Sequence, residues 1–162
     1  MIGASHDRPD VIVFPPLIWV ATMALATILQ WLMPVGMLGR IDLGLRLSIG
    51  IAALAIGVAL AATGRRTLMR LGTNVSPLSP TTALATEGIF GRTRNPLYVG
   101  GTLAMLGLAL AAGLDWLPLL LVPSLVVLHY GVVLREEGYL EQKFGDAYRR
   151  YKTDVARYGF GV

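Results

Sequence analysis

Long apolar stretches without Asp, Glu, Lys or Arg constrain this chain more than any other feature of its sequence. A helix needs about 20 consecutive, mostly apolar residues to cross the hydrocarbon core of a bilayer. Four segments meet this condition, and we predict an all-α membrane protein with about four transmembrane helices. The predicted helices cover residues 17–35, 47–63, 95–114 and 116–134, with Leu43 as an alternative start for the second.

The composition supports extensive contact with lipid. Charged residues make up 15% of the 162 residues and hydrophobic residues 54%, whereas soluble domains carry roughly 25% charged residues. We attribute the net charge of +4 to Lys and Arg at the membrane surface, and not to binding of nucleic acid. Because the sequence has no Cys, it excludes disulfides, thiolate metal ligands and a cysteine nucleophile, and we predict no metal site.

The distribution of Lys and Arg predicts the orientation, because cytoplasmic loops are enriched in both. Of the 14 basic residues, only Arg40 and Arg46 lie between the first two predicted helices. The others precede the first helix, lie between the second and third, or follow the fourth, so we expect both termini in the cytoplasm. The third and fourth helices are predicted to form a tight hairpin that closes on the outside at residues 113–115.

We divide the chain into two regions on this basis. Residues 1–63 form an N-terminal segment with two scaffold helices, and residues 64–162 form a catalytic region of loop, hairpin and C-terminal amphipathic helix. The stretch Leu71–Thr86 is uncharged but rich in Ser, Thr, Asn and Pro, which indicates a loop. We expect a multi-pass protein of a bacterial-type inner (plasma) membrane, with its active site on the cytoplasmic face.

The start of the third predicted helix combines features of an anion site. Asn95 suits the N-cap position and Pro96 the first helical position. The first turn of a helix offers unpaired N–H groups and the positive end of the dipole, and Arg92 and Arg94 lie just before it. The alternative is that the two Arg side chains only anchor the helix at the cytoplasmic surface.

The next turn of this helix carries Tyr98, whose hydroxyl could reach a ligand. Gly100 and Gly101 follow, and their lack of side chains lets a ligand or another helix approach the backbone. The alternative is an interfacial aromatic residue followed by glycines that pack helices together.

An amphipathic segment follows the fourth predicted helix. Glu136 and Glu137 border its apolar face, and acidic side chains turned inward at a membrane interface are costly and indicate function. The alternative is a solvated helix whose acidic residues pair with nearby basic ones. His129, within the fourth helix, either bonds a neighbouring helix or faces the active cavity. The apolar face, predicted to fold back on the membrane surface, consists of Leu140, Phe144, Tyr148, Tyr151 and Val155.

Taken in order, these motifs resemble a known family of membrane enzymes. The chain has Gly-x-Phe and then Arg-Asn-Pro-x-Tyr-x-Gly at Arg94–Gly100, followed after the hairpin by Glu-Glu-x-x-Leu, Phe-Gly-x-x-Tyr and Tyr-Lys. This arrangement resembles the C-terminal half of the isoprenylcysteine carboxyl methyltransferase and phospholipid methyltransferase family over roughly Thr67–Tyr158. Many members have His at the position of Asn95. Prenylcysteine enzymes have an Arg shortly before the acidic pair, where this chain has Val132, Val133 and Leu134.

The resemblance implies S-adenosylmethionine as the cofactor, bound between the hairpin and the C-terminal segment. The departures leave the acceptor open, so oxygen, nitrogen and sulfur nucleophiles all remain candidates. From the two segments together, the candidate cofactor-binding residues are Arg92, Arg94, Asn95, Pro96, Tyr98, Gly100, Glu136 and Glu137, and the candidate catalytic residues are Arg94, Glu137 and His129.

The resemblance thus implies methyl transfer to a membrane-embedded or amphiphilic acceptor, either a carboxylate as in prenylcysteine or a lipid amine. The expected partners are a lipid-like small molecule and membrane lipids. Two alternatives stay open: a non-enzymatic four-span subunit for assembly or transport, and a membrane reductase that uses NADPH.

Overall fold

The computed structural model describes residues 7–159, and all regular secondary structure in that range is helical. Two short 3-10 turns, Leu38–Arg40 and Gly88–Gly91, lie in the connections. Three helices are long and apolar enough to cross a membrane: α1 (Pro15–Leu32), α2 (Leu43–Arg70) and α4 (Trp116–Phe144). Helix α3 (Pro96–Ala112) is a shorter apolar helix of 17 residues. The chain is therefore a multi-pass membrane protein. A fifth helix, α5 (Asp146–Asp154), follows α4.

The second helix starts at the alternative position, Leu43, but its predicted end at residue 63 was wrong. Helix α2 continues past residue 63 to Arg70, because charged residues end the lipid-compatible stretch but are good helix formers. It ends where Gly72 adopts a positive φ of 66°. The prediction for the first helix was nearly right: α1 ends at Leu32, and Pro34 shortly after it cannot continue a helix.

Helices α2 and α3 pack with their backbones in contact. A Cβ atom on Gly57 would lie 2.6 Å from the carbonyl oxygen of Gly100, and one on Gly107 would lie 2.6 Å from that of Gly50. Since neither distance allows a side chain, glycine is required at each crossing point. The glycines repeat at heptad spacing on both helices, the pattern by which small residues let membrane helices approach closely.

A tight turn joins the third and fourth helices, as predicted, but these two helices do not pack mainly against each other. Helix α3 ends at Gly113, whose φ is 69°, and α4 begins at Trp116. However, α3 packs mainly against α2, while α1 packs against α4. The Asp115 carboxylate fixes the turn by accepting bonds from the backbone N–H groups of Gly36 (2.8 Å) and Leu38 (2.7 Å). The helices thus pair across the predicted boundary between residues 63 and 64.

The sequence suggested that the chain folds back after the fourth helix. Instead, α4 continues past the point where its charged residues begin. It passes through a π-helical turn, His129–Val133, and continues as an α-helix over Leu134–Phe144. The Gly131 carbonyl in the π turn accepts a bond from the N–H of Ile12 (2.9 Å). Gly145, at φ 54°, breaks the chain into α5, so the predicted single amphipathic helix is two helices.

The aromatic stripe of that segment is confirmed as packing surface. Tyr148, Tyr151 and Val155 are buried together, and Leu140 and Phe144 pack against them. Residues 71–87 form a loop without regular structure, in agreement with the prediction. Leu84 of this loop also packs against the aromatic cluster, so loop and α5 close over the end of the bundle.

Candidate active site

A polar cavity lies where α3 begins, beside the charged end of α4. Its empty space is about 820 Å³, part of it open to solvent. The loop after α2, the start of α3, the end of α4 and α5 contribute its walls. The side chains of this polar cavity that carry the following argument are Arg94, Asn95, Tyr98, Glu136, Glu137 and Tyr148.

Glu137 is the centre of an ion cluster and is only 6% exposed. Its Oε1 accepts from Nη2 of Arg94 (3.0 Å) and from Nε of Arg157 (2.9 Å), and its Oε2 accepts from Nη2 of Arg157 (2.8 Å). Nη1 of Arg94 also donates to the carbonyls of Lys152 (2.8 Å) and Val155 (3.0 Å). Two of the predicted residues, Arg94 and Glu137, therefore bind each other and hold the C-terminal segment against α3.

One nitrogen of the Arg94 guanidinium makes no hydrogen bond to the described residues. Its Nε is buried and has no hydrogen-bond partner among the described residues, although the side chain lines the polar cavity. A buried N–H without an acceptor is rare and costly. The orphaned donor fits a site that a polar ligand completes.

Glu136 lies beside this cluster but has a different partner. Its Oε1 accepts a hydrogen bond of 2.9 Å from the hydroxyl of Tyr98, which joins α4 to α3. Its neighbour Glu137 is neutralised by two Arg side chains, whereas the bond that the structure describes for Glu136 comes from an uncharged group. Glu136 is thus the carboxylate of the polar cavity best able to receive a cationic group.

The start of α3 is held by the C-terminal segment and not by its own cap. Asn95 occupies the N-cap position, but its side chain makes no cap bond, and Nδ2 donates instead to the Arg157 carbonyl (3.2 Å). The N–H of Arg94 donates to the Ala156 carbonyl (3.0 Å). Pro96 is the first helical residue, as predicted, and lines the cavity.

Three predicted site residues, Arg92, Gly100 and His129, lie outside the polar cavity. Arg92 is exposed and outside the cavity lining. Gly100 faces α2, where a Cβ would lie 2.6 Å from the carbonyl oxygen of Gly57, so its small size serves helix packing. A Cβ atom on Gly101 would lie 3.4 Å from the Trp19 ring.

A second space, the apolar groove, is lined by residues of α3 and α4 and by Tyr158. Its empty volume is about 1120 Å³, and most of its lining is aliphatic. Tyr98 lines both spaces, so the two meet at this residue. The residues of this groove that are used below are Tyr98, Thr102, Leu106, Val126, His129 and Tyr158.

His129 faces this groove and is not part of the polar cavity. Its Nδ1 lies 2.7 Å from the hydroxyl of Tyr158, a residue of the C-terminal segment. Burial raises the pKa of the Tyr158 hydroxyl to about 12, so the hydroxyl keeps its proton at physiological pH. Sequence reasoning missed Tyr158 and Arg157, since both act through contacts between segments distant in sequence and no local motif marks them.

The comparisons with known proteins agree with this arrangement. The model of the phospholipid methyltransferase family matches residues 45–147, which include α2, α3 and α4. An uncharacterized protein of Haemophilus influenzae is 41% identical over 62 residues, which are 38% of this chain and 78% of that protein.

A solved structure has the same fold. It is the eukaryotic intramembrane Ras methyltransferase ICMT (isoprenylcysteine carboxyl methyltransferase), with a TM-score of 0.66 and 20% sequence identity. The similarity covers 88% of this chain but only 50% of that one, so the chain spans about half the length of this relative. The family resemblance seen in the sequence is confirmed, and the chain belongs to the phospholipid methyltransferase family.

Proposed function

We propose that the protein transfers a methyl group from S-adenosylmethionine to an amphiphilic acceptor held in the membrane. One observation carries the proposal: Tyr98 lines both the polar cavity and the apolar groove. A water-soluble donor in the cavity and a lipid-like acceptor in the groove would meet at this residue. Membership of the phospholipid methyltransferase family supports the same reaction.

The residues of the polar cavity fit the donor. The orphaned Nε of Arg94 suits the donor's carboxylate, and the Glu136 carboxylate suits a cationic ammonium or sulfonium. When bound, S-adenosylmethionine supplies a methyl group activated by its positively charged sulfur.

The apolar groove supports an acceptor with a hydrocarbon tail. Leu106 (38% exposed) and Val126 (52% exposed) lie on its rim, so a tail could enter sideways from the lipid. In this arrangement the protein contributes mainly by positioning the acceptor against the donor and by excluding water. The candidates are a carboxylate, as in the prenylcysteine that the name of the solved relative specifies, and a lipid amine.

We place the site at the cytoplasmic face of a bacterial-type inner membrane. The reason is the concentration of Lys and Arg at the end of the molecule that carries the polar cavity. Donor access from the cytoplasm would then be combined with acceptor access from the bilayer.

Calorimetry with S-adenosylhomocysteine, on protein in detergent, tests the donor site. We expect saturable binding that the Glu136→Gln variant weakens at least ~10-fold, because the change removes the negative charge. The Glu87→Gln variant is the matched control, since Glu87 is exposed and outside the cavity. Folded protein that does not bind S-adenosylhomocysteine would favour a non-enzymatic subunit, and binding of NADPH instead would favour a reductase.

A further inference from the structure

The apolar groove ends in a polar pair at the membrane surface. Among the described residues, its lining is aliphatic or aromatic apart from Thr102 and His129. The Thr102 hydroxyl donates to the Tyr98 carbonyl in its own helix (2.8 Å), so it is already satisfied. His129 is the residue of this lining whose ring nitrogen can accept a proton from an acceptor in the groove, and Tyr158 lies beside it.

The groove also lacks a cation. No Lys or Arg lines it within residues 7–159. Arg94 and Arg157, the nearest guanidinium groups of the site, are both bound to the Glu137 carboxylate. Arg135, which follows the stretch where prenylcysteine enzymes have an Arg, turns away and donates to the Asp10 carbonyl (2.9 Å). A carboxylate acceptor would have no counter-charge from the protein in this groove, only that of the donor sulfonium, and its burial there is unfavourable.

His129 is arranged to receive a proton. The Tyr158 hydroxyl lies within hydrogen-bonding distance of Nδ1 of His129. None of the hydrogen bonds described for this ring involves Nε2. The residue begins the π-helical turn of α4, and such turns occur frequently at functional sites. If Nδ1 carries the proton and donates it to the Tyr158 oxygen, the lone pair of Nε2 is available to a ligand.

We infer that the acceptor is a nucleophile that carries its own proton, a hydroxyl, thiol or amine on an apolar tail, and that Nε2 of His129 accepts this proton. The inference rests on the proposed methyl transfer and names its acceptor class. Tyr158 acts as a positioning residue, since its hydroxyl lies 2.7 Å from Nδ1 and, by accepting the proton of Nδ1, would leave Nε2 unprotonated.

The step balances without any further reactant. The acceptor atom uses a lone pair to form a bond to the methyl carbon. At the same time the bond between that carbon and the donor sulfur breaks, and the electron pair of the broken bond stays on sulfur. The proton of the acceptor passes to Nε2 of His129, and the resulting imidazolium releases it to water. A positioned base of this kind typically contributes 10²–10⁴-fold to the rate.

Binding of matched amphiphiles tests the acceptor class without turnover. Hexadecanol, hexadecylamine and palmitate share one tail length and differ in the polar end. In protein saturated with sinefungin, a donor analogue in which an ammonium group replaces the sulfonium, we expect palmitate to bind at least ~10-fold more weakly than hexadecanol, because no cation of the protein lines the groove. Palmitate binding as tight as that of hexadecanol would overturn the inference.

Nitrogen NMR of the histidine ring tests the role of Tyr158. The chain has 2 His residues, so a His6→Ala background leaves the signal of His129 alone. We expect the proton on Nδ1 in this background and a shift of the tautomer toward Nε2 in Tyr158→Phe. A proton on Nε2 while Tyr158 is intact would overturn the inference.

The His129→Gln variant tests proton transfer. With labelled donor and total membrane lipid as acceptor, we expect incorporation to fall ~10²-fold or more, with unchanged affinity for S-adenosylhomocysteine. Val122→Ala is the control, since Val122 is a lipid-exposed residue of α4 outside the groove. Undiminished incorporation by His129→Gln would overturn this inference but leave the proposed function intact. A parent protein that does not bind S-adenosylhomocysteine would contradict the proposed function itself.

Discussion

The hydroxyl of Tyr98 donates a 2.9 Å hydrogen bond to Oε1 of Glu136, and this bond joins α3 to α4 where the polar cavity meets the apolar groove. Both residues belong to motifs visible in the sequence, yet only the fold brings them together. The same contact separates a charged space suited to a water-soluble donor from an apolar one suited to a lipid-like acceptor. Its removal should therefore affect both stability and activity.

We predict that Tyr98→Phe lowers methyl transfer by about tenfold or more and destabilises the fold by about 1–3 kcal/mol, because Glu136 loses its hydrogen-bond donor. Methyl incorporation and thermal unfolding in detergent measure the two effects. If both values equal those of the parent protein, the bond has no functional role.

We predict that Glu137→Ala destabilises the protein by about 3–5 kcal/mol, because it leaves the Arg94 guanidinium buried without a counter-charge. Glu141→Ala is the matched control: Glu141 pairs with Lys152 at a partly exposed site, where such a pair contributes about 0–1 kcal/mol. Chemical denaturation in detergent compares them. Equal losses in the two variants would contradict a special role for the Glu137 cluster.

We predict that Gly57→Ala destabilises the contact between α2 and α3 by about 1–3 kcal/mol, because the new methyl group overlaps the Gly100 carbonyl. Gly39→Ala is the control, since a Cβ there has no atom within 4 Å. Thermal unfolding of both variants measures the difference. A Gly57→Ala protein as stable as Gly39→Ala would show that the helices do not pack this closely.

We predict that acid weakens the turn around Asp115. Burial opposes ionisation of this carboxyl, but hydrogen bonds from Leu38, Gln30 and Gly36 outweigh it and lower its pKa below the usual 3.8. The unfolded chain therefore takes up the proton first, so the stabilisation is complete at neutral pH and is lost as pH falls below about 3.8. Unfolding measured between pH 3 and 7 should show a smaller acid loss for Asp115→Asn than for the parent, and equal losses would contradict this assignment.

The sequence predicted the apolar helices well, because the transfer of a side chain into lipid is a local property that sums along the chain. It predicted their ends less well. Arg65, Arg66 and Arg70 end the apolar stretch without ending α2, and Gly145 breaks the last segment where the aromatic spacing indicated one helix. Helix continuity depends on backbone conformation, which hydropathy does not report.

The candidate site was predictable in part. Arg94, Asn95, Tyr98, Glu136 and Glu137 were found because two local motifs contain them, and they do line one cavity. The roles of Arg157 and Tyr158 depend on contacts between distant segments, for which the sequence has no local signal.

Helix pairing was the larger omission, although a signal existed. Gly50, Gly57 and Gly64 repeat at heptad spacing, as do Gly100 and Gly107. Matching repeats on two membrane helices indicate close packing between them. This pattern would have predicted the pairing of α2 with α3, and with it the packing role of Gly100.

The most direct measurement of the central claim is mass spectrometry of membranes incubated with S-adenosylmethionine that carries a labelled methyl group. With the parent protein, we predict an amphiphile heavier by one labelled methyl group, which Glu136→Gln protein fails to produce and Glu87→Gln protein still produces. A folded parent protein that transfers no label to any membrane amphiphile would contradict the account.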